Sequence, residues 1–213
     1  MQERAEATRG YLVEAAAQLF EERGYAGTSI SDISARSGRT SGAIYFHFTS
    51  KEKLALAVIE ATLATWPAVI AQVRASSAPA LDKLVSLSFT VARAFRDDVV
   101  VRAGSRLWTE RKAIDATVPG PFAGWIATVT ELLREARAEG ALAASVAPET
   151  AGLAVVYAFF GLHTVSDAMD GRAAIEDRLR ELWEVLLLAL QAEPDPAALL
   201  ARTHGPASAP MPA

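Results

Sequence analysis

Three hydroxyl side chains, Thr40, Ser41 and Tyr45, lie within six residues of one another in a locally basic stretch. Between residues 36 and 53 there are four Lys or Arg side chains and only one acid, Glu52. Hydroxyls can donate to and accept from base edges, while Lys and Arg bind phosphates. Residue types in this pattern favour contact with DNA, and Arg36 and Arg39 are further candidates within the same stretch.

Two short helices separated by a glycine are predicted around these side chains. Thr28 and Ser29 can cap the first helix, and an acid follows Ser29 by three residues, as in a capping box. Gly38 can adopt the left-handed conformation that ends a helix in a tight turn. The second helix then begins at Thr40 or Ser41. Helix, glycine turn and helix at this spacing are typical of a helix-turn-helix.

A longer amphipathic helix precedes this motif. Residues 7–23 place apolar side chains on one face, and Gly24 ends the helix. We expect Phe46 and Phe48 to complete a small three-helix core with Tyr25. The sequence therefore predicts a DNA-binding domain over residues 1–50.

Composition limits the remaining possibilities. The chain has 213 residues, 51% of them hydrophobic, a net charge of −4 and no cysteine, which excludes disulfides and thiolate chemistry. Weak local charge favours a site-specific binder over a general nucleic-acid coat. The N-terminus lacks the layout of a signal peptide, and the apolar run over residues 153–162 is too short to span a bilayer. We expect a cytoplasmic protein without a membrane partner.

Helical periodicity continues beyond residue 50, and no strand alternation is evident, so the fold class is all-α with about nine helices. The later predicted helices cover residues 51–66, 79–97, 99–112, 122–139, 148–170 and 173–191. Pro67 is expected to kink or stop the first of these. We predict a ligand-binding and dimerisation domain over residues 51–192 and a disordered tail over residues 193–213.

The last two predicted helices are too apolar for burial on one face only. A second subunit would cover the remaining faces, and the alternative is that both are central helices of a monomer. The residues predicted for a homodimer interface are Tyr157, Leu179, Trp183, Leu186 and Leu187.

Aromatic side chains in the larger domain indicate either plain core or an apolar pocket with a few polar anchors. The predicted ligand-binding residues are Phe89, Trp108, Phe122, Trp125, Val129, Phe160, His163 and Thr164. His163 is equally consistent with a core or interface histidine. It is not expected to bind metal, because the other histidines are distant in sequence and no acidic cluster accompanies any of them. No cofactor fingerprint is present, so no cofactor is predicted.

Four sequence blocks at the N-terminus match a known family in register. They are L-F-E-E-R-G-Y-A-G-T-S-I (19–30), I-S-A-R-S-G (33–38), G-A-I-Y-F-H-F (42–48) and S-K-E-K-L (50–54). Residues 9–54 thus resemble the TetR family of transcriptional repressors. The resemblance implies a two-fold dimer on a palindromic operator, with Thr28, His47 and Lys51 at phosphates. Relatives usually carry Lys where this chain has Ser41 and an aliphatic residue where it has Arg39, which leaves the operator sequence open.

The C-terminal part resembles a narrower group. A-F-R-D-D-V-V-V-R-A-G-S-R-L (94–107), P-F-A-G-W (121–125) and L-L-R-E-A-R-A-E-G-A-L (132–142) are similar to the γ-butyrolactone receptors and their butenolide and furan relatives. These are repressors of antibiotic production that sense small signalling molecules. The resemblance implies a small-molecule effector of γ-butyrolactone, butenolide or furan type, with Trp125 in its pocket.

Two other functions remain as alternatives. A pseudo-receptor would bind the same kind of DNA but respond to other apolar molecules, such as antibiotics. A small all-α enzyme has no support from a nucleophile–base pair, cofactor fingerprint or metal spacing. For the repressor, we expect the effector to bind the DNA-incompetent state more tightly and to act by moving the helix that begins at Lys51.

Overall fold

The computed structural model describes residues 2–114, 117 and 120–203. These residues form two compact units, and the chain crosses between them after Pro67, Arg96 and Gly120. The described helices are α1 (Gln2–Arg23), α2 (Ile30–Ser37), α3 (Ser41–His47), α4 (Lys51–Ala75), α5 (Ala80–Asp97), α6 (Val99–Thr109), α7 (Phe122–Ala138), α8 (Pro148–Asp170), α9 (Ile175–Leu190) and α10 (Pro196–Thr203), with a 3-10 turn at Arg111–Ala113. The predicted all-α class is confirmed.

The first unit contains α1 to α3, most of α4, and α6. Its core is formed by fully buried side chains from all of these helices, including Phe20, Ile33, Ile44, Leu54 and Leu107. Helices α4 and α6 approach closely, since a Cβ added at Gly104 would lie 2.0 Å from Thr62 Oγ1. The Thr62 hydroxyl donates to Val100 O at 2.8 Å across this contact. The short helices α2 and α3 therefore have a rigid base.

The second unit contains α5, α7 to α10 and the end of α4. Helices α7 and α8 pack closely at Gly152, where an added Cβ would lie 2.3 Å from Thr130 Oγ1. Helix α9 joins α5 through the Trp183 indole, which donates from Nε1 to Ser88 Oγ at 2.8 Å. The core of this unit thus lies between α5, α7, α8 and α9.

The structure differs from several of the predicted boundaries. Helix α4 continues through Pro67 to Ala75, so this proline does not stop it. The first part of α4 and all of α6 belong to the same compact unit as α1 to α3. The predicted functional division at residue 50 stays a prediction. The expected disorder from residue 193 is wrong for residues 196–203, because Leu199 and Leu200 of α10 are buried and Arg202 pairs with Asp82. Residues 204–213 lie outside the described part.

Helices α4 and α8 are long and apolar enough to cross a membrane by length and composition. The apolar run over residues 153–162 therefore underestimates the length of the apolar helix α8. This is weak evidence for a membrane span, because the core helices of soluble proteins have the same properties.

Candidate DNA-binding surface and effector cavity

The helix-turn-helix is formed by local hydrogen bonds that the sequence predicted. Ser29 caps α2 in a capping box, with Ser29 N donating to Asp32 Oδ2 at 2.8 Å and Asp32 N donating to Ser29 Oγ at 3.1 Å. The hydrogen bond from the Ser29 hydroxyl lowers the pKa of Asp32 below its ordinary value. Gly38 follows with φ 64°, and Thr40 caps α3 by accepting from Ala43 N at 3.2 Å.

The solvent-facing side of α3 carries two aromatic rings. Ile44 is fully buried, and Phe48 is 4% exposed. Tyr45 is 51% exposed and Phe46 83% exposed. The prediction that Phe46 belongs to the core is therefore wrong, because a residue two positions after Ile44 lies on the opposite side of a helix. Phe46 is thus an exposed side chain of α3 and a further candidate for contact with DNA.

Thr28 and Lys51, both predicted to lie at phosphates, hold the turn between α1 and α2. The buried Thr28 hydroxyl donates to Gly24 O at 2.9 Å and is also within 3.1 Å of Leu19 O. Lys51 Nζ donates to Tyr25 O at 3.0 Å and to Thr28 O at 3.1 Å. Lys51 Nζ also lies 4.1 Å from the centroid of the Tyr25 ring, so this ammonium group supports the turn through three contacts.

The other predicted DNA contacts are more accessible. Arg39 is exposed, with its guanidinium 6.0 Å from the Tyr11 ring centroid. His47 and Ser41 are half-buried, and the His47 ring packs edge-on against Phe46 at 5.2 Å. Arg36 instead pairs with Glu22 at 2.9 Å, and this hydrogen bond lowers the pKa of Glu22. Arg39 and Lys53 are exposed cations of this surface, and the exposed Arg9 lies 5.2 Å from the centroid of the Phe48 ring.

Helix α6 is fixed to the end of α1 by a cluster of polar contacts. Arg106 donates from Nη1 to Glu21 O and from Nε to Glu110 Oε1 at 2.9 Å. The second oxygen of Glu110 accepts from Tyr25 N at 2.6 Å. Gly24 allows this approach, because its φ is 73° and an added Cβ would lie 2.6 Å from Glu110 Oε1. The position of α6 is thus tied to the turn that precedes α2.

A small cavity of about 40 Å³ lies inside the second unit. It is lined by Leu84, Leu87, Ser88, Val91, Trp125, Val129, Val156, Phe159 and Phe160. The only hydroxyl side chain in this lining is Ser88, whose hydroxyl donates to Val85 O at 2.6 Å and accepts from Trp183 Nε1. The cavity is therefore apolar, and its volume is well below the roughly 300–1,000 Å³ of common ligand pockets.

Three of the predicted ligand-binding residues, Trp125, Val129 and Phe160, line this cavity. Phe122 packs edge-on against Phe160 at 4.9 Å, one layer away from the lining. The lining residues of α5, which are not among the predicted ligand contacts, recur at i, i+3, i+4 and i+7. That spacing is the signal for a shared helix face, but it does not separate a cavity wall from solid core.

The remaining predicted ligand residues lie elsewhere. Phe89 is fully buried and does not line the cavity. Trp108 belongs to the first unit, where Arg111 stacks on its ring at 4.0 Å. Thr164 is exposed, and its hydroxyl donates to Phe160 O at 2.8 Å. Trp108 and Thr164 are not among the residues that line the cavity.

His163 lies in the same unit and is 3% exposed. Its Nδ1 accepts a hydrogen bond from Arg172 Nε at 2.9 Å, and its ring centroid is 3.9 Å from that of Phe95. Burial, and secondarily the nearby Arg172 charge, lower the pKa of His163 to about 3. The imidazole is therefore neutral throughout the physiological pH range. No group of three or more potential metal ligands occurs among the described residues.

Helices α8 and α9 leave an apolar face exposed. On α8, Tyr157, Val165 and Met169 are more than half exposed and follow one another at multiples of four residues. On α9, Val185 and Leu188 are 66% and 60% exposed. Two neighbouring helices thus each leave large apolar side chains exposed, as expected of a subunit interface.

The predicted interface set needs correction at three positions. Leu179, Trp183 and Leu187 are at most 1% exposed within the single chain, so no partner atom can reach them. Their spacing of four residues places them on the inner face of α9. Tyr157 is accessible, and Leu186 is half-buried.

Comparison with known proteins agrees with this arrangement. The family described as bacterial regulatory proteins, tetR family, matches residues 12–58, and the tetracyclin repressor-like C-terminal domain matches residues 78–192. The A-factor receptor protein of Streptomyces griseus is 32% identical over 87% of this chain, which spans 64% of that protein's length.

Two solved structures are similar over most of the chain. One, described as the molecular basis for control of antibiotic production by bacterial hormones, has 44% identity and a TM-score of 0.81, covering 87% of this chain and 98% of that one. A gamma-butyrolactone receptor described as ArpA-like has 30% identity and a TM-score of 0.79, covering 94% and 98%. The C-terminal family match alone covers more than half of the sequence. The chain therefore belongs to the tetR family of bacterial regulatory proteins.

Proposed function

We propose that this protein is a dimeric, ligand-responsive transcriptional repressor that acts in the cytoplasm. It binds a palindromic operator and is released by a small signalling molecule of γ-butyrolactone type that controls secondary metabolism. The observation that carries the proposal is the presence, in one chain, of an exposed recognition helix on a rigid base and an apolar cavity in a separate unit.

The exposed side of α3 supports operator binding. Thr40, Tyr45 and Phe46 combine hydroxyls with an apolar ring, and these groups suit base edges and thymine methyl groups. Arg39, Lys51 and His47 flank them and suit phosphates. Because few cations are available, we expect sequence-specific contacts to account for much of the affinity.

The exposed face of α8 and α9 supports a homodimer. A two-fold axis through this face would give each dimer two recognition helices, which matches an operator of two related half-sites. The residues we assign to the interface are Tyr157, Val165, Met169, Val185 and Leu188, with Leu186 at its edge.

The cavity supports an apolar effector with few hydrogen-bonding groups. An alkyl lactone is several times larger than the present volume of about 40 Å³, so binding requires α5, α7 and α8 to separate. The effector would therefore favour an expanded second unit over the present one. Such a difference in affinity is the condition for shifting a conformational equilibrium.

Helix α4 offers a route from the cavity to the DNA-binding surface. Near its C-terminus, Arg74 pairs with Glu131 and Glu135 of α7, each at 2.6 Å. Helix α7 carries the cavity residues Trp125 and Val129. At the other end of α4, Lys51 donates hydrogen bonds to two backbone carbonyls of the loop before α2. A shift of α7 on ligand binding would thus move α4 and change the separation of the two recognition helices.

A gel shift on the promoter next to the protein's own gene tests the proposal. We expect retention of that DNA by the protein alone, and release on addition of one member of a panel of γ-butyrolactones, butenolides and furans. Absence of retention would contradict operator binding at this site. Release by antibiotics but by none of the panel would instead identify a pseudo-receptor. The small-enzyme alternative finds no support, since the family consists of DNA-binding regulators.

A further inference from the structure

Two buried polar atoms on α8, His163 Nε2 and Ser166 Oγ, have no hydrogen-bond partner among the described residues. The residues are 3% and 0% exposed, so bulk solvent does not reach them. Because Nδ1 of His163 accepts from Arg172, a neutral imidazole carries its proton on Nε2. The helix therefore holds a buried N–H donor and a buried hydroxyl one turn apart. Buried groups of this kind are costly unless a partner is supplied.

These atoms lie one layer beyond the cavity. Val91 lines the cavity from α5, and Phe95 follows it by four residues on the same face of that helix. Phe159 lines the cavity from α8, and His163 follows it by four residues in the same way. The Phe95 ring contacts His163 at 3.9 Å and Phe160 at 6.3 Å between centroids. The Phe95 ring therefore contacts both His163 and Phe160, and Phe160 lines the cavity.

Arg172 fixes the imidazole in this orientation. Its backbone has φ 70°, which is unusual for a residue with a side chain, and its N–H donates to Ser166 O at 3.1 Å. Its side chain is 10% exposed and pairs with Asp167 at 3.0 Å while Nε donates to His163. Arg172 thus occupies Nδ1 and leaves Nε2 as the donor that faces away from this ion pair.

We infer that His163 and Ser166 form a polar subsite at the end of the cavity, where Nε2–H donates to a carbonyl or hydroxyl oxygen of the effector. The apolar part of the effector then lies between Val91, Trp125 and Phe160. The inference rests on the proposed function only in placing the effector in this cavity. It adds the requirement that the effector carries an oxygen acceptor at one end of an apolar body.

The alternative is a histidine that only fills the core. For such a histidine, replacement by leucine would preserve packing and leave ligand selectivity unchanged. For a subsite, the same replacement would remove the preference for ligands that carry the oxygen, because a buried donor rejects an analogue that lacks its acceptor.

Direct binding of two matched probes by the full-length protein separates these alternatives. γ-Decalactone and 2-hexyltetrahydrofuran have the same ring size and tail and differ in one carbonyl oxygen. We expect wild type to bind the lactone about tenfold more tightly by calorimetry, the ratio expected of one buried hydrogen bond. His163→Leu should abolish the ratio, and Ser166→Ala should reduce it, while affinity for the ether is kept.

Phe95→Leu is the matched control, since it enlarges the same layer without removing a polar group. It should improve binding of both probes and leave their ratio unchanged. A ratio that survives in His163→Leu would overturn the subsite, as would a wild type that does not prefer the lactone or binds neither probe. Operator retention is measured separately, so failure of the subsite and failure of the repressor function are distinguishable.

Discussion

The carboxylate of Glu110 accepts a hydrogen bond from the backbone N–H of Tyr25 at 2.6 Å, across 85 residues of sequence. Its other oxygen accepts from Arg106 in α6. Replacing Glu110 with Ala leaves the Tyr25 N–H without this acceptor and should lower the free energy of unfolding by about 1 kcal/mol. Urea denaturation measures the change. Equal stability of Glu110→Ala and wild type would contradict the role assigned to this contact.

Tyr45 and Phe46 on the exposed side of α3 provide the sharpest test of the DNA-binding surface. Tyr45→Ala and Phe46→Ala should each weaken operator binding by about tenfold or more, because each removes an exposed group that we propose enters the major groove. Thermal melting should be nearly unchanged, since both side chains are exposed. Gel shift and melting curves are measured on the same preparations.

Ile44→Ala is the control for these variants. Ile44 is fully buried in the same helix, so this change should cost about 2–5 kcal/mol of stability. Operator binding as tight as wild type in both exposed variants would show that α3 does not read DNA through these rings.

Arg74 connects the end of α4 to α7 through Glu131 and Glu135. Arg74→Gln should leave operator affinity in the absence of effector unchanged and raise the effector concentration needed for release. All three side chains are more than a third exposed, so we expect little change in stability. Titration of effector into a preformed protein–operator complex gives the result. An unchanged release curve would exclude this contact from the coupling.

The exposed face of α8 and α9 predicts the behaviour of interface variants. Val185→Glu and Tyr157→Glu should shift the protein from dimer to monomer in analytical ultracentrifugation, because each places a charge on the apolar face. Leu179→Ala should instead destabilise the subunit, since Leu179 is buried within it. Dimers that persist in both glutamate variants would require another interface.

His163 predicts a pH dependence of stability. Its folded-state pKa of about 3 lies below the ordinary value of 6.5, so between these values the unfolded chain binds a proton that the folded protein does not. The stability that the neutral His163 contributes is fully present above pH 6.5 and is lost as the pH falls towards 3. At pH 5 the loss in unfolding free energy amounts to about 2 kcal/mol. The difference in unfolding free energy between pH 7.5 and pH 5 should be smaller by about this amount in His163→Leu than in wild type.

The helix-turn-helix could be predicted from the sequence because its signals are local. Ser29, Gly38 and Thr40 act on residues within a few positions of themselves, and each has the expected role in the structure. The prediction that Phe46 is buried is wrong because aromatic residues occur on both the buried and the exposed side of this segment, and residue type alone does not separate them. Only the helix period, counted from Ile44, distinguishes them.

The faces of α8 and α9 could not be assigned in this way. Both helices are apolar on more than one side, so the sequence does not distinguish Leu187 in the core from Leu188 at the surface. The cavity wall on α5 presented the same difficulty, because Leu84 and Val91 resemble any buried aliphatic residue. Which face points inward depends on the neighbours of each helix, and those come from distant parts of the chain.

The small volume of the cavity has an evolutionary consequence. Any molecule that enters must separate the surrounding rings. Its binding free energy is therefore the favourable energy of its contacts less the free energy needed to open the cavity. A single large-to-small change at Phe159 or Phe160 would lower that work for many apolar molecules at once. A repressor of this design can thus acquire a broader chemical response without gaining any new contact to the molecule it detects.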